Sequence, residues 1–471
     1  MLLWNRIVGL AATAVFCLMV VACATKGAPS GLVISDVTVV SAERAEPLEH
    51  AYVRIIDGRI AEVTKRPLHG EHEVDGAGYY LIPGLIDTHV HLAITPGWPA
   101  PMSPEQAAAN PDIVAAAIAQ DPRSFLFHGF TTVLDLIGTG ERTARWNALD
   151  IRPDAYFCGM TAVLNGEFRV VLTPGFSYGR GPDIDPDIYT AATAVDHITT
   201  DGAICVKTTD PMTLEQAQTL VSVAHAHDLP VFIHANRKDS QGLAVAAGMD
   251  VIAHGMWRNM DESAALDDDA RDILASVIRN YIGYQPTTQV IVALIDELDE
   301  GYLLRPELAD VYPRTLVDWY GNEISGRAAE AFSAIGVDSV IEFRRATVGR
   351  ATEITRIMAD NAAHLLFGSD TPSATTYSNP PGLNGRLEMN NWISGGVTEE
   401  KLFRALTIDN ATIMKLEDEI GTVEVGKTAN LLLLGANPLE SVEAYDAIKT
   451  VFLHGQPIAR ETLSARNAKM K

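Results

Sequence analysis

The sequence predicts an α/β protein: a distorted (β/α)8 TIM barrel joined to a small β-sandwich domain that both chain ends build. Three observations carry this. Short apolar, β-branched runs recur through the middle of the chain with helical patterns between them, as a parallel sheet with crossover helices requires. That middle, residues 83–410, has the length of one barrel with insertions. Alternating apolar and polar residues then mark strands at both ends, outside the barrel. A chain of 471 residues can bury one large core and one smaller one.

In order, the chain opens on a processing signal over 1–22 and a linker over 23–30. Arg6 gives a positive start, Ile7 to Val21 is apolar but short for a permanent span, and Val20-Val21-Ala22-Cys23 closes it. These four residues resemble a bacterial lipobox, in which the cysteine is diacylated and becomes the first residue. An ordinary signal peptide cut nearby is the rival reading. Ala24 follows, where the lipoprotein pattern reserves Asp for inner-membrane retention. In a Gram-negative host the resemblance therefore implies an exported protein, anchored by lipid at Cys23 in the outer membrane and facing the periplasm.

The first part of the sandwich is expected over 31–82, where Leu32 to Val40 and Ala51 to Val63 alternate and Asp57-Gly58 marks a hairpin. The second part, 411–471, holds short strands at Asn430 to Leu434 and Thr450 to Leu453, with a His454-Gly455 turn. Between them the eight barrel strands are expected at 85–90, 131–136, 155–160, 203–208, 230–234, 250–254, 281–286 and 364–370. The clearest helix follows the fourth strand: Thr213 and Gln216 have capping-box spacing, and Ala217 to Ala226 continues the helical pattern. Residues 288–350 are too many for one barrel helix and predict an insertion near the active-site mouth.

An apolar fraction of 47% and a charged fraction of 20% are those of an ordinary globular protein. A net charge of −24 argues against nucleic acid or anionic membrane surfaces as partners, leaving the lipid anchor as the membrane contact. Past the signal, Cys158 and Cys205 lie in apolar runs, which predicts two buried thiols and no disulfide framework.

Chemistry collects at strand ends. His89 and His91, two apart, point to the same face of the first barrel strand. Lys207 ends the fourth strand, His234 the fifth, His254 the sixth and Asp370 the eighth. Barrel active sites are assembled at the carboxyl ends of the strands. One such residue alone is a satisfied polar group; six in this order describe a metal site.

This order, with Pro83-Gly84-Leu-Ile-Asp-Thr-His89 before it and Gly421-Thr-Val-Glu-Val-Gly-Lys-Thr-Ala-Asn-Leu431 after it, resembles the amidohydrolase superfamily from about residue 31 onward. Within it, the chain is most similar to the imidazolonepropionase-like branch that includes Xaa-Pro dipeptidases. Two departures stand out: Asn430 where Asp is more usual, and His128 where Ala is usual. The resemblance implies two divalent metal ions, with His89, His91 and Asp370 on one, His234 and His254 on the other, and Lys207 bridging them as a carbamate formed from CO2. The nitrogen-rich set suits Zn2+, while Mn2+, Co2+ and Fe2+ are compatible. The implied reaction is hydrolysis of a C–N bond in a small amide, such as an Xaa-Pro-like dipeptide or an N-acyl amino acid, by metal-activated hydroxide. Asp370 is then the catalytic base and later the acid. A cyclic amide, an imidazolone or a phosphotriester is the alternative substrate, and a degenerate barrel acting as a surface binding protein is the non-enzymatic one.

For Lys207 a structural reading stands beside the carbamate, with its ammonium paired to Asp210 or Asp370. Arg169, Tyr178 and Arg180, in the segment after the third strand, and Tyr284 and Thr287, near the seventh, are candidate substrate contacts; an Arg there could grip a carboxylate bidentately. His225 and His227 read as solvated residues on an outer helix, and His364 as structural. A homo-oligomer acting on a small-molecule substrate is expected.

Overall fold

The computed structural model describes residues 31–92, 94, 108–173, 183–184, 190–256, 266–372 and 376–467. The signal and Cys23, together with Tyr178 and Arg180, lie outside them. The chain enters through β1 (Leu32–Val39), β2 (Leu48–Ile56), β3 (Arg59–Thr64), β4 (His72–Asp75) and β5 (Tyr80–Pro83). β2 and β3 form the expected hairpin. Asp57 (φ 49°) and Gly58 (φ 75°) occupy its turn, where a tight antiparallel connection needs two left-handed residues.

The barrel strands are β6 (Leu85–Val90), β7 (Phe130–Asp135), β8 (Asp154–Leu164), β11 (Cys205–Thr209), β12 (Val231–His234), β13 (Val251–Ala253) and β14 (Gly283–Gln285), parallel in that order. β8 overruns the barrel and turns back through β9 (Glu167–Thr173) and β10 (Asp183–Ile184), an antiparallel extension beside the carboxyl ends. The outer layer is built by α1 (Pro111–Phe127), α2 (Gly140–Asn147), α3 (Ala191–Thr200), α4 (Leu214–Ala226), α5 (Lys238–Ala247) and α6 (Asp268–Arg279). α4 starts as its sequence requires: Thr213 Oγ1 accepts from Gln216 N at 3.2 Å, and Gln216 Oε1 accepts from Thr213 N at 2.9 Å.

Seven of the eight expected strands are regular; the eighth is not. Residues 364–371 touch both neighbours only through isolated bridges, Tyr284 with Leu365 and Val90 with Thr371. Single bonds close the ring instead: Leu366 N to Tyr284 O (3.1 Å), Thr88 N to Phe367 O (3.2 Å) and Asp370 N to His89 O (2.7 Å). Asn410 takes over part of the missing ladder. Its Nδ2 donates to Ile86 O and Phe367 O, both at 2.8 Å, and its Oδ1 accepts from Phe367 N at 3.1 Å. Backbone groups that lose a strand partner thus regain a side-chain one.

The insertion is helical: α7 (Gln289–Asp296), several short turns, then α8 (Val337–Asp360), which runs ten residues past the expected limit of 350. Tyr302, Tyr312, Tyr320 and Tyr377 pack there with Ile113 and Ala117 of α1. α9 (Leu383–Ser394) follows the eighth strand position. Among the described residues no helix is long and apolar enough to cross a membrane.

The C-terminal strands β15 (Leu431–Leu434), β16 (Ile448–Leu453) and β17 (Gln456–Ala459) complete the N-terminal sheet, because β15 lies antiparallel beside β5. Alternation explains how one sheet serves two cores. Leu431 and Leu433 pack with Ile34, Val53 and Phe452 inside the small domain, whereas Leu432 and Leu434 face the barrel's outer core with Ile82 and Val451.

One expectation is overturned. Cys158 and Cys205 are not two thiols: they form a disulfide, with their Cα atoms 4.5 Å apart. The cause is register. β8 and β11 are adjacent parallel strands, and Cys205 pairs directly with Cys158. Both are fully buried, as expected of residues in apolar runs.

Candidate metal centre

Period-2 geometry places the site. In β11, Cys205 belongs to the apolar cluster that fills the barrel with Ile86, Leu134, Phe232 and Leu366, while Val206 faces the helices. Lys207, two residues on, therefore stands on the inner face above that cluster. In β12, Phe232 and His234 repeat the relation. The apolar plug is the floor of the site, and the ligands are its next layer.

Asp370 sits at the centre. Its Oδ1 lies 2.9 Å from His91 Nε2 and 3.4 Å from His89 Nε2, and its Oδ2 lies 3.8 Å from His254 Nδ1. The rings of His234 and His254 are 4.4 Å apart between centroids, those of His89 and His254 5.1 Å. Among the described residues, one ligand atom each from His89, His254 and Asp370 falls within 4.8 Å of the others. Asn236 Nδ2 is 3.1 Å from His234 Nε2.

Lys207 closes the set. Its side chain is buried, and its Nζ has no hydrogen-bond partner among the described residues. Burial pushes its amine down to about 7, with Asp370 pulling the other way. Asp210, the other candidate partner for a Lys207 ammonium, is paired with Arg237 instead. Burial also pushes His89 and His254 well below the ordinary imidazole value, against the pull of Asp370. For Asp370 burial works upward, but the surrounding imidazoles win and hold its carboxyl well below the usual range.

The backbone is strained at this end of the barrel. His254 (φ 80°), Thr287 (φ 48°) and Asp370 (φ 54°) all sit in the left-handed region without being glycine. Side chains hold the Asp370 turn in place. Asn379 Nδ2 donates to Asp370 O at 3.2 Å, and Asn384 Nδ2 donates to Ser369 O at 3.0 Å.

The remaining candidates separate. Arg169 pairs across β8–β9 with Ala162 and forms an ion pair with Glu167. Tyr284 turns away: it packs in the outer core, its hydroxyl accepts from Gln241 Nε2 at 3.2 Å, and burial pushes its phenol well up from its ordinary value. Its neighbour Gln285 faces inward instead, with Oε1 3.1 Å from His89 Nδ1. Thr287 Oγ1 lies 2.9 Å from His254 Nδ1. Sequence reading passed over Gln285, although a buried amide flanked by Gly283 and Thr287 on alternate positions is the signal that could have shown it. His225 bonds Asp250 at 2.9 Å and His227 bonds Asp196 at 3.2 Å, both on the outside of the barrel. His364 stacks on Tyr281 at the opposite end, 4.4 Å between centroids. His128 is buried beside Phe127, and neither ring nitrogen has a hydrogen-bond partner among the described residues.

Comparison with known proteins agrees with this picture. The chain is similar over 91% of its length to the whole of a solved Xaa-Pro dipeptidase with bound methionine in its active site (TM-score 0.65, 18% identity). It is similar over 91% to a putative prolidase from Bifidobacterium longum, covering 95% of that chain (TM-score 0.62, 22% identity). It also matches A. niger ochratoxinase over 93% of this chain and 99% of that one (TM-score 0.61, 17% identity). In sequence, an imidazolonepropionase from Caldanaerobacter subterraneus subsp. tengcongensis is 38% identical over 52 residues, which spans only 11% of this chain and 12% of that protein. The amidohydrolase family matches residues 80–458, most of the chain and every clustered side chain described above. The chain belongs to the amidohydrolase family.

Proposed function

We propose that this protein is a metal-dependent hydrolase that cuts a C–N bond in a small amide, with Xaa-Pro-like dipeptides and N-acyl amino acids as the favoured substrates. The observation that carries the reading is the convergence, at the carboxyl ends of the barrel strands, of four imidazoles, one carboxylate and a buried lysine whose Nζ has no hydrogen-bond partner among the described residues. That donor set fits divalent metal, Zn2+ first. His89, His91 and Asp370 would hold one ion, His234 and His254 a second, and Lys207 would join them. Such ions, when bound, polarise a scissile carbonyl and acidify water.

The chain's own groups do the rest. Asp370 is anionic and placed to take a proton from an attacking water and return it to the leaving amine. The Lys207 amine, neutral in good part near pH 7, can add to CO2; its nitrogen gains the carboxylate and releases a proton. That converts an unpartnered donor into an anion among cations. Similarity to the dipeptidase and the prolidase supports the dipeptide class. A screen of the metal-loaded protein against Xaa-Pro, Xaa-Arg, N-acyl amino acids and lactams tests the reading. Turnover of one of the first three classes, abolished by chelation and restored by Zn2+, is expected; turnover of lactams alone would shift the substrate to cyclic amides, and activity that survives complete metal removal would end the reading.

We also propose that the protein is exported and anchored through Cys23. A disulfide belongs in an oxidising compartment, and the Cys158–Cys205 bond supports export. Cys23→Ser should release the protein from the membrane fraction. A soluble wild type whose mature N-terminus is not Cys23 would refute the anchor.

A further inference from the structure

The end of β14 supplies none of the six clustered side chains, yet two residues there reach two of the imidazoles. Gln285 and Thr287 are fully buried. Gln285 is itself oriented: its Nε2 donates to Thr88 Oγ1 at 2.8 Å, which leaves Oε1 facing His89 Nδ1 at 3.1 Å. A carbonyl oxygen only accepts, so His89 Nδ1 carries the proton and its Nε2, the nitrogen nearer Asp370, keeps the lone pair. Thr287 Oγ1 meets His254 on its Nδ1 side at 2.9 Å.

Thr287 holds this position at a cost, because φ 48° is unfavourable for a β-branched residue. The clamp is Glu388 of α9, fully buried below the turn. It accepts from Thr288 N at 3.1 Å, Gln289 N at 2.6 Å and Trp392 Nε1 at 3.0 Å. These bonds fix the two residues that follow Thr287 and leave its hydroxyl little freedom.

We propose that the end of β14 orients the metal centre: Gln285 sets which nitrogen of His89 bears the proton, and Thr287, held in place by the Glu388 clamp on the two residues after it, fixes the ring of His254 through its Nδ1, so that Nε2 of each is presented for coordination. They are positioning residues, and the inference rests on the metal-dependent reading above. Partners of this kind around metal-binding histidines typically change metal affinity by about 10–100-fold.

The test uses the full chain, stripped of metal and titrated with Zn2+ against a competing chelator. Thr287→Ser and Thr287→Ala differ by one oxygen, and both relieve the β-branched strain. Thr287→Ala is expected to bind Zn2+ about tenfold or more weaker than wild type and to lose kcat with KM little changed. Thr287→Ser should restore both. Gln285→Met, which keeps the length and removes the acceptor, should behave like Thr287→Ala, and it carries the test if that variant does not fold. Melting temperatures separate the readouts, since a purely structural role would lower stability without dividing Ser from Ala in Zn2+ affinity. Equal Zn2+ affinity for wild type, Thr287→Ala and Gln285→Met overturns the inference. A wild type that binds no Zn2+ overturns instead the function on which it rests.

Discussion

Among single residues, Lys207 decides between one metal and two. An unmodified ammonium buried beside Asp370 would carry a desolvation penalty of several kcal/mol, on the order of what isolated buried ions cost. Asp210, the other candidate partner, does not share that burden, because it is committed to Arg237. The proposed carbamylation would remove the conflict by changing the sign of the charge. Lys207→Ala should therefore lose the second metal, and added short-chain carboxylic acids should partly restore turnover by occupying the vacated place. Metal counted per chain checks this: two ions retained without Lys207 would exclude it as the bridge. His89→Ala and His254→Ala should lose bound metal together with activity, while Tyr284→Phe, which alters only a hydroxyl in the outer core, should leave KM unchanged. A large KM effect at Tyr284 would contradict its outward position.

At the level of elements, helix starts give the cleanest predictions. Thr213→Ala removes the Oγ1 that caps α4 and should cost about 1 kcal/mol in a denaturant titration. Glu388→Ala should cost more, about 2–4 kcal/mol, because it orphans two backbone N–H groups and an indole in a buried place. The same elements show what the sequence could reveal. Local apolar, β-branched runs located seven barrel strands, since a parallel strand buried on both faces is written as such a run. The eighth is closed by Asn410, which comes some forty residues later in the chain, and nothing local to 364–371 encodes that brace. The clustered polar positions were legible because each ends an apolar run. Tyr284 was misplaced for a related reason: moving one residue along a strand exchanges its faces, and Gln285 holds the inward one. The disulfide stayed hidden because it depends on which strands become neighbours, which the spacing of two cysteines does not contain.

Across the whole molecule, barrel and sheet are joined by a polar contact at Asp154. Asn430 Nδ2 and His454 Nε2 both lie 2.8 Å from its Oδ2, and Arg152 pairs with its Oδ1. Burial alone would raise this carboxyl, but these partners carry it below its ordinary value of 3.8. A depressed acid stabilises the fold above its unfolded pKa, and that contribution disappears as pH falls below about 4 through the folded value. Acid-unfolding curves of Asp154→Asn should be flatter in that window than those of wild type. Asn430→Asp restores the family's more usual residue yet should destabilise by about 1–3 kcal/mol, since a second carboxylate would replace a donor to the first. The disulfide closes a loop with a sequence separation of 47, so its removal by Cys158→Ala/Cys205→Ala should cost up to about 4 kcal/mol, read as a shifted unfolding midpoint. The sheet shared by the two chain ends has a temporal consequence. β5 finds its neighbour β15 only after the entire barrel sequence has been made, so until then the first strands present an open edge. The small domain cannot be finished until β15 to β17 have been made; a chain cut short before Leu431 keeps that edge exposed, and aggregation is its expected fate.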